Sequence, residues 1–342
     1  MQELTFVAPG QIEMRERAAP RIASGAQALV RPLAVARCDL DTVFARGKVP
    51  IAGPFALGHE CVAEVLEIGD ATLTVRPGDR VIVPFQISCG ACARCHAGQT
   101  GSCKAVPKMA SYGLGPLFGG EYGGAVSDVL LVPYADAMLV KIGADVDPVA
   151  AAALGDNAID GYRTVAGPLA REPGAAVLIA GGGAPSVALY AVAAARALGA
   201  TEVVYVDPSE VRCSAAARLG ARVVAAKAEP SLRVGRFAIT VDATAREEGL
   251  RFCLGSTEAW GECTSVGVYF SDVSLPLLDM YSRGVRFATG RIDARRDLPA
   301  ALAIAVSGAF EIGAVPTSVV PWSDAASAWT EASTKLVIRR PA

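Results

Sequence analysis

Apolar positions along the chain change their period near residue 150. Before it, short runs alternate apolar and polar residues at 28–33, 61–68, 80–84 and 127–132. Turn signals such as Arg76-Pro77-Gly78-Asp79 and Gly119-Gly120 separate them. Alternation gives a strand one face for a core and one for solvent, so this part reads as β-rich. From about 150 to 290, strand patterns at 177–180, 202–207, 237–242 and 261–268 alternate with helical patterns at 185–198, 209–219 and 247–254. Such alternation builds βαβ units and a doubly wound parallel sheet, so the fold class is α/β. Residues 291–342 predict a helix at 298–307 and strands around Thr317 and Leu336. The expected organisation is a β-rich domain over 1–150, a parallel-sheet domain over 151–290 and a shorter tail. The alanine-rich boundary at 147–154 reads as a connecting helix.

At 342 residues the chain exceeds what a single hydrophobic core supports, which agrees with two domains. Its 52% hydrophobic content argues against disorder, and a net charge of -2 gives no sign of nucleic acid or an anionic membrane as partner. The uncharged run at 175–195 is broken by Gly181, Gly182, Gly183 and Pro185, so strand, turn and helix explain it better than a membrane span. The N-terminal residues carry no secretory pattern. With nine cysteines and no export signal, reduced thiols and a cytoplasmic location are expected.

Four of those cysteines, Cys89, Cys92, Cys95 and Cys103, lie in one short loop with small residues between them. Structural zinc takes four thiolates tetrahedrally, and this spacing suits it. An iron–sulfur cluster uses the same ligands, and disulfides are the bland alternative. His96, inside the loop, reads as a surface residue, since four thiolates fill the shell.

His59 is one of only two histidines, and it stands between Gly58 and Glu60 at the head of a strand pattern. Taken alone, His59 and the upstream Cys38 are core residues more often than ligands. At 177–186 a buried-strand pattern runs through Gly181, Gly182 and Gly183 into Pro185 and Ser186. Gly181 and Gly183 fit the first two glycines of a dinucleotide fingerprint, where backbone meets pyrophosphate and the next helix offers its amides. Ser186 replaces the third glycine. Asp207 ends the following strand, where an acid accepts from the adenosine ribose hydroxyls and repels a 2′-phosphate, so NAD is expected over NADP. The bland reading of Asp207 is a helix cap. Arg212 flanks the adenine or is a solvated helix residue. Gly182, Pro185 and Val268 complete the expected nucleotide-binding set.

Together these features resemble the zinc-dependent alcohol dehydrogenases of the medium-chain dehydrogenase/reductase family. The resemblance rests on Cys38, Gly58-His59-Glu60, 75–81, the four-cysteine loop and the glycine turn with Asp207. It implies a GroES-like catalytic domain built from both ends of the chain, with 291–342 returning to it, around a Rossmann domain. It implies a catalytic zinc on Cys38, His59 and Asp156 and a structural zinc on the four-cysteine loop, two per chain. Asp41 would take the far N–H of His59, and Glu60 would be an acid able to ligate in turn. Three protein ligands leave a fourth position for an alcohol oxygen, and NAD accepts the hydride.

Two positions depart from that family pattern. Leu40 stands where a Ser or Thr begins the proton exit, and Asp160 stands where a Thr precedes Gly161-Tyr162. The expectation is that Asp160 or a water carries the proton, with the acid's charge favouring the oxidised ring; the bland reading points Asp160 to solvent. Leu40, Phe44, Phe85, Gln86 and Tyr112 are expected to wall the substrate pocket. Oxidation of an alcohol, or reduction of its carbonyl, is the leading function, with a polyol or amino alcohol as the alternative substrate. A catalytically weak zinc- and nucleotide-binding sensor is the reading from another class. The family also implies a homodimer or homotetramer, pairing near 285–290.

Overall fold

The computed structural model describes residues 1–49, 51–118 and 122–341, and the glycine pair at 119–120 lies outside them. The chain divides into two compact units: 1–157, 293–302 and 317–342 form the first, and 158–292 with 303–316 the second. The division differs from the expected 150 and 290 at both ends. Asp156 and Asn157 stay with the first unit because His59 and Lys335 bond their side chains. Residues 303–316 join the second, where Phe310 packs on Tyr162.

The first unit is built on two sheets. The larger runs in the order Thr317–Pro321, Lys335–Arg339, Ala28–Arg37, Glu60–Ile68, Arg80–Val83 and Val140–Lys141, with Leu130–Val132 also pairing with Ala28–Arg37. All its pairs are antiparallel except Thr317–Pro321 with Lys335–Arg339. A smaller sheet holds Gln11–Glu16, Gln2–Ala8 and Phe55–Ala56. Ala28–Arg37 is buried along most of its length and has strands paired on both of its edges.

The second unit has one six-stranded parallel sheet. Its order is Arg222–Val224, Val203–Val206, Val177–Ala180, Phe237–Asp242, Thr257–Ser265 and Arg286–Thr289. Counted from Val177–Ala180, that is order 3-2-1-4-5-6, the doubly wound arrangement whose switch point lies beside the first strand. Val177–Ala180, Val203–Val206 and Phe237–Asp242 are buried throughout, which explains their unbroken apolar runs. The strand expected at 261–268 runs instead over Thr257–Ser265, so Val268 lies beyond its end. A register shift against Phe237–Asp242 accommodates the early start. The boundary segment is a helix Pro148–Ala151, capped by Asp147, that tightens into a 3-10 turn at Ala152–Gly155. A helix at Asn157–Arg171 follows directly.

Candidate metal centre and nucleotide site

Strand register brings the candidate ligands together. Ala28–Arg37 pairs antiparallel with Glu60–Ile68, Ala36 facing Glu60, so the next positions on each, Arg37 and His59, fall side by side. Cys38 lies one residue further. Asp156 arrives from the 3-10 turn laid across the same strands. A β-carbon on Gly155 would sit 3.0 Å from the Val83 carbonyl and 3.1 Å from Glu60 Cα, so only glycine allows that approach without displacement. Sγ of Cys38, a ring nitrogen of His59 and carboxylate oxygens of Glu60 and Asp156 all lie within 4.8 Å of one another.

His59 Nε2 faces Asp156 Oδ2 at 3.3 Å. On the other side of the ring, Nδ1 faces Asp41 Oδ1 at 3.9 Å, beyond hydrogen-bond reach, and among the described residues neither atom has another hydrogen-bond partner. The expected Asp41–His59 pairing is thus a facing pair, not a formed bond. Asp41 Oδ2 instead accepts from the Cys38 backbone N–H at 3.1 Å, and the Leu40 N–H points at Cys38 Sγ, 3.4 Å away. The short turn therefore orients the thiol.

The protein alone does not balance the charge here. Burial raises the Cys38 thiol, and Asp156, Glu60 and Asp41 raise it further. Burial raises Glu60 to about 8 against the pull of Lys335, and it raises Asp41 against His59. For His59, burial works downward but the three acids overcome it, leaving the ring raised. Burial opposes Asp156 too, yet hydrogen bonding and charge from His59 leave it lowered. A buried sulfur, an imidazole nitrogen and a carboxylate, crowded by two further acids, are a donor set that fits a divalent zinc ion.

Sequence reasoning missed the charged groups beneath this site. Lys335 donates to both Glu60 oxygens and to Asn157 Oδ1. Arg37 donates to the carbonyls of Trp329 and Glu331 and to Ser333 Oγ. Among the expected pocket walls, Phe85 packs 5.7 Å from the His59 ring. Two others are committed elsewhere: Gln86 Oε1 accepts from the Ala294 N–H, and the Tyr112 hydroxyl donates to the Leu131 carbonyl.

In the cysteine loop, the four Sγ atoms of Cys89, Cys92, Cys95 and Cys103 also lie within 4.8 Å of one another. Cys92 Sγ is 3.6 Å from Cys95 Sγ and 4.0 Å from Cys103 Sγ, far beyond a disulfide bond. Backbone N–H groups of Lys104 and Cys89 point at Cys92 Sγ and Cys103 Sγ. The Lys104 and Cys95 amides bring the Cys92 thiol down to about 6, which favours a thiolate ligand. His96 is not in the cluster. Asp293 accepts from the Gly101 N–H and pins the loop's far side.

The glycine turn follows Val177–Ala180 at the sheet's switch point. A β-carbon on Gly181 would collide with Asp207 Oδ2 and the Tyr205 hydroxyl, and one on Gly183 would lie 2.8 Å from Ala245 Cβ and the Thr244 carbonyl. Side chains are therefore excluded where the turn presses on its neighbours. Pro185 opens the helix Pro185–Ala197, with Ser186 buried behind it. Asp207 is buried and heavily engaged. It accepts from Tyr205 Oη at 2.8 Å, the Ser209 N–H at 2.7 Å, and Arg212 Nε and Nη2 at 2.8 and 2.7 Å. Ser209, not Asp207, caps the helix Glu210–Arg218. Arg212 is thus the partner of the acid rather than a solvated residue. Val268 is about half exposed, past the end of its strand. Asp160 accepts from Arg163 Nε at 2.6 Å, and Arg163 Nη2 donates to the Gly290 carbonyl.

Comparison with known proteins agrees with this architecture. Residues 24–143 match the alcohol dehydrogenase GroES-like domain, and 186–307 match the zinc-binding dehydrogenase domain. Geraniol dehydrogenase of Castellaniella defragrans is 30% identical over 311 residues, covering 84% of this chain and 82% of its own. A probable zinc-binding alcohol dehydrogenase of Mycobacterium tuberculosis is 28% identical over 337 residues, covering 97% of this chain and 85% of its own. Alcohol dehydrogenase TADH from Thermus sp. ATN1 superposes with a TM-score of 0.89 over all of both chains, at 27% identity. The chain belongs to the zinc-dependent alcohol dehydrogenases of the medium-chain dehydrogenase/reductase family. It is an oxidoreductase of alcohols and their carbonyl counterparts that uses zinc and a nicotinamide cofactor. No helix among the described residues is long and apolar enough to cross a membrane.

Proposed function

We propose that the chain oxidises a small alcohol with NAD, or reduces the matching aldehyde or ketone, at a zinc held by Cys38, His59 and Asp156. The observation that carries this reading is the convergence of those three donors within 4.8 Å in a buried site. When bound, zinc supplies Lewis acidity that lowers the pKa of the alcohol, and NAD supplies the hydride acceptor. The chain's own residues do the rest. Cys38 and Asp156 balance the ion's two charges as thiolate and carboxylate, and His59 adds a neutral donor. Asp41 accepts from the Cys38 backbone N–H, which orients the turn that carries the thiol, and faces the far side of the imidazole. Phe85 packs against the imidazole ring. Cys89, Cys92, Cys95 and Cys103 hold a second, structural zinc.

Asp207 supports NAD over NADP, because a carboxylate held at the end of the second strand would repel a 2′-phosphate brought there. Gly181, Gly182 and Gly183 admit the pyrophosphate to the amides after Pro185 and Ser186. Arg212 would serve the adenosine end through its hold on Asp207, and Val268 belongs to the expected nucleotide-binding set. Leu40 has no proton to relay, and the Arg163 ion pair leaves Asp160 a poor carrier, so water takes the proton out. A homodimer or homotetramer in the cytoplasm completes the proposal, with the substrate a simple alcohol in preference to a polyol or amino alcohol. The sensor alternative loses ground because the donor set is complete despite Leu40, Asp160 and Ser186.

The test pairs metal analysis with NADH absorbance across a panel of alcohols and diols. Wild type is expected to carry two zincs per chain and to turn over NAD, and Asp156→Asn to lose one zinc and the activity together. Turnover that survives in Asp156→Asn or after chelation removes the reading.

A further inference from the structure

Tyr205 and Asp207 stand two residues apart at the end of the strand Val203–Val206, so their side chains leave on the same face of the sheet. Asp207 keeps the strand's course, its N–H donating to the Val224 carbonyl at 3.2 Å. Both side chains are fully buried, and both would meet a β-carbon on Gly181, so the pair lies directly against the glycine turn. A carboxylate has about four acceptor positions, two on each oxygen. Here the protein's own donors take all of them. Oδ1 accepts from the Ser209 N–H and from Arg212 Nη2, both at 2.7 Å. Oδ2 accepts from Tyr205 Oη and from Arg212 Nε, both at 2.8 Å.

An adenosine ribose brings a vicinal diol, whose two hydroxyls need one position on each oxygen. The four donors differ in how readily they give way. The Ser209 N–H belongs to the backbone that starts the next helix. Tyr205 sits in a strand paired on both edges, opposite Ile179 and Val223, so it cannot withdraw without disturbing the sheet. Burial and the Asp207 charge hold its phenol well above the usual range, so the hydroxyl stays protonated and remains a donor. Arg212 is different. Its guanidinium ends a long stem, its side chain is 22% exposed, and it donates once to each oxygen. When Arg212 swings outward, one position opens on each oxygen, which is what a vicinal diol requires. We infer that Tyr205 is a positioning residue for the nucleotide, holding the Asp207 carboxylate in place while Arg212 yields to the ribose diol. Tyr205 thereby favours NAD, because a phosphorylated 2′-oxygen has no proton to donate to the opened position. The inference rests on the nucleotide reading above.

The test is nucleotide binding by the zinc-loaded full chain, followed by the fluorescence of NADH and NADPH, which needs no knowledge of the alcohol. Wild type is compared with Tyr205→Phe, Asp207→Ser and the double variant. Phenylalanine keeps the ring in the core and removes only the hydroxyl. Losing one bond to a charged acceptor should weaken NADH binding about tenfold in Tyr205→Phe. NADPH binding should stay within about twofold of wild type, so the preference for NADH falls about tenfold. In the Asp207→Ser background the same change should alter NADH binding by less than about twofold, because the hydroxyl has lost the acid it acts through. Unchanged NADH binding in Tyr205→Phe overturns the inference. So does equal weakening of NADH and NADPH, the mark of a merely structural hydroxyl, and so does an undiminished effect in the double variant. A second arm depends on no variant: crystals of wild type with NADH should show the ribose hydroxyls on Oδ1 and Oδ2, Tyr205 Oη still on Oδ2, and Arg212 turned away. Tyr205 off the acid, or Arg212 still on both oxygens, overturns the inference. If Asp207→Ser keeps the wild-type preference for NADH, the nucleotide reading fails, and the inference with it.

Discussion

Asp160 stands where the family resemblance calls for a threonine, and its carboxylate accepts from Arg163 Nε at 2.6 Å. A carboxylate held by a guanidinium stays anionic and has little tendency to take a proton in passing. Asp160→Asn should therefore leave the two limbs of the kcat–pH profile within about 0.3 pH units of wild type. Disappearance of a limb would return the proton to Asp160. At Asp207 the charge has the opposite importance. Its four donors fix the acid in one place, so a 2′-phosphate nearby meets an immobile negative charge. Two such charges about 4 Å apart near a protein surface repel by roughly 4 kcal/mol. Asp207→Ser removes that term and frees Arg212 to meet the phosphate. The ratio of kcat/KM for NADP to that for NAD should rise about 100-fold, a smaller change than the bare repulsion because water screens part of it. A ratio within twofold of wild type would show that Asp207 does not select the nucleotide.

The cysteine loop is an element with little secondary structure of its own: a short helix at Ala93–His96 and a 3-10 turn at Thr100–Ser102. Backbone bonds to sulfur and the Asp293–Gly101 contact organise it, so an ion among the four thiolates would supply the order that a core supplies elsewhere. Cys92→Ser should lower the zinc content by about one per chain. If that ion contributes about 3 kcal/mol, Tm should fall on the order of 10 °C. Unchanged zinc and Tm would mean the loop holds no ion. This loop, the glycine turn and the buried parallel strands were legible in the sequence because each depends on spacing within a few tens of residues. Cys38, His59 and Asp156 became legible as a set only through resemblance. Lys335 was not legible. It looks like a polar residue before Leu-Val-Ile, and its partner Glu60 is 275 residues away. Arg163 and Tyr205 were missed for a related reason: an ordinary-looking helix or strand residue reveals its partner only when the fold brings the pair together. The early start of Thr257–Ser265 escaped because its register shift against Phe237–Asp242 breaks the pattern there.

At the scale of the molecule, the six-stranded sheet ends in Arg286–Thr289, which among the described residues has a strand neighbour on one side only. An open edge is a template for pairing with another chain unless something blunts it. Here large apolar side chains adjoin the edge, alongside Asp279 and Arg286. In the helix Leu277–Arg283, which leads to that strand, Leu277, Leu278 and Tyr281 are 65%, 82% and 86% exposed. Trp260 is 77% exposed and lies against Gly284, where a β-carbon would meet its ring at 3.1 Å. Large side chains so exposed, gathered beside an open edge, are costly in a monomer and suit a partner with the same surface. A two-fold axis across Arg286–Thr289 would pair the edge with its own copy and bring the two apolar patches together. Leu278→Asp combined with Tyr281→Asp should therefore convert the assembly to single chains in light scattering at micromolar concentration. The isolated fold should keep its parallel-sheet core, because both side chains already face solvent within one chain. An unchanged mass in the double variant would exclude this face from the interface, and a wild type that already scatters as a single chain would remove the oligomer from the proposal.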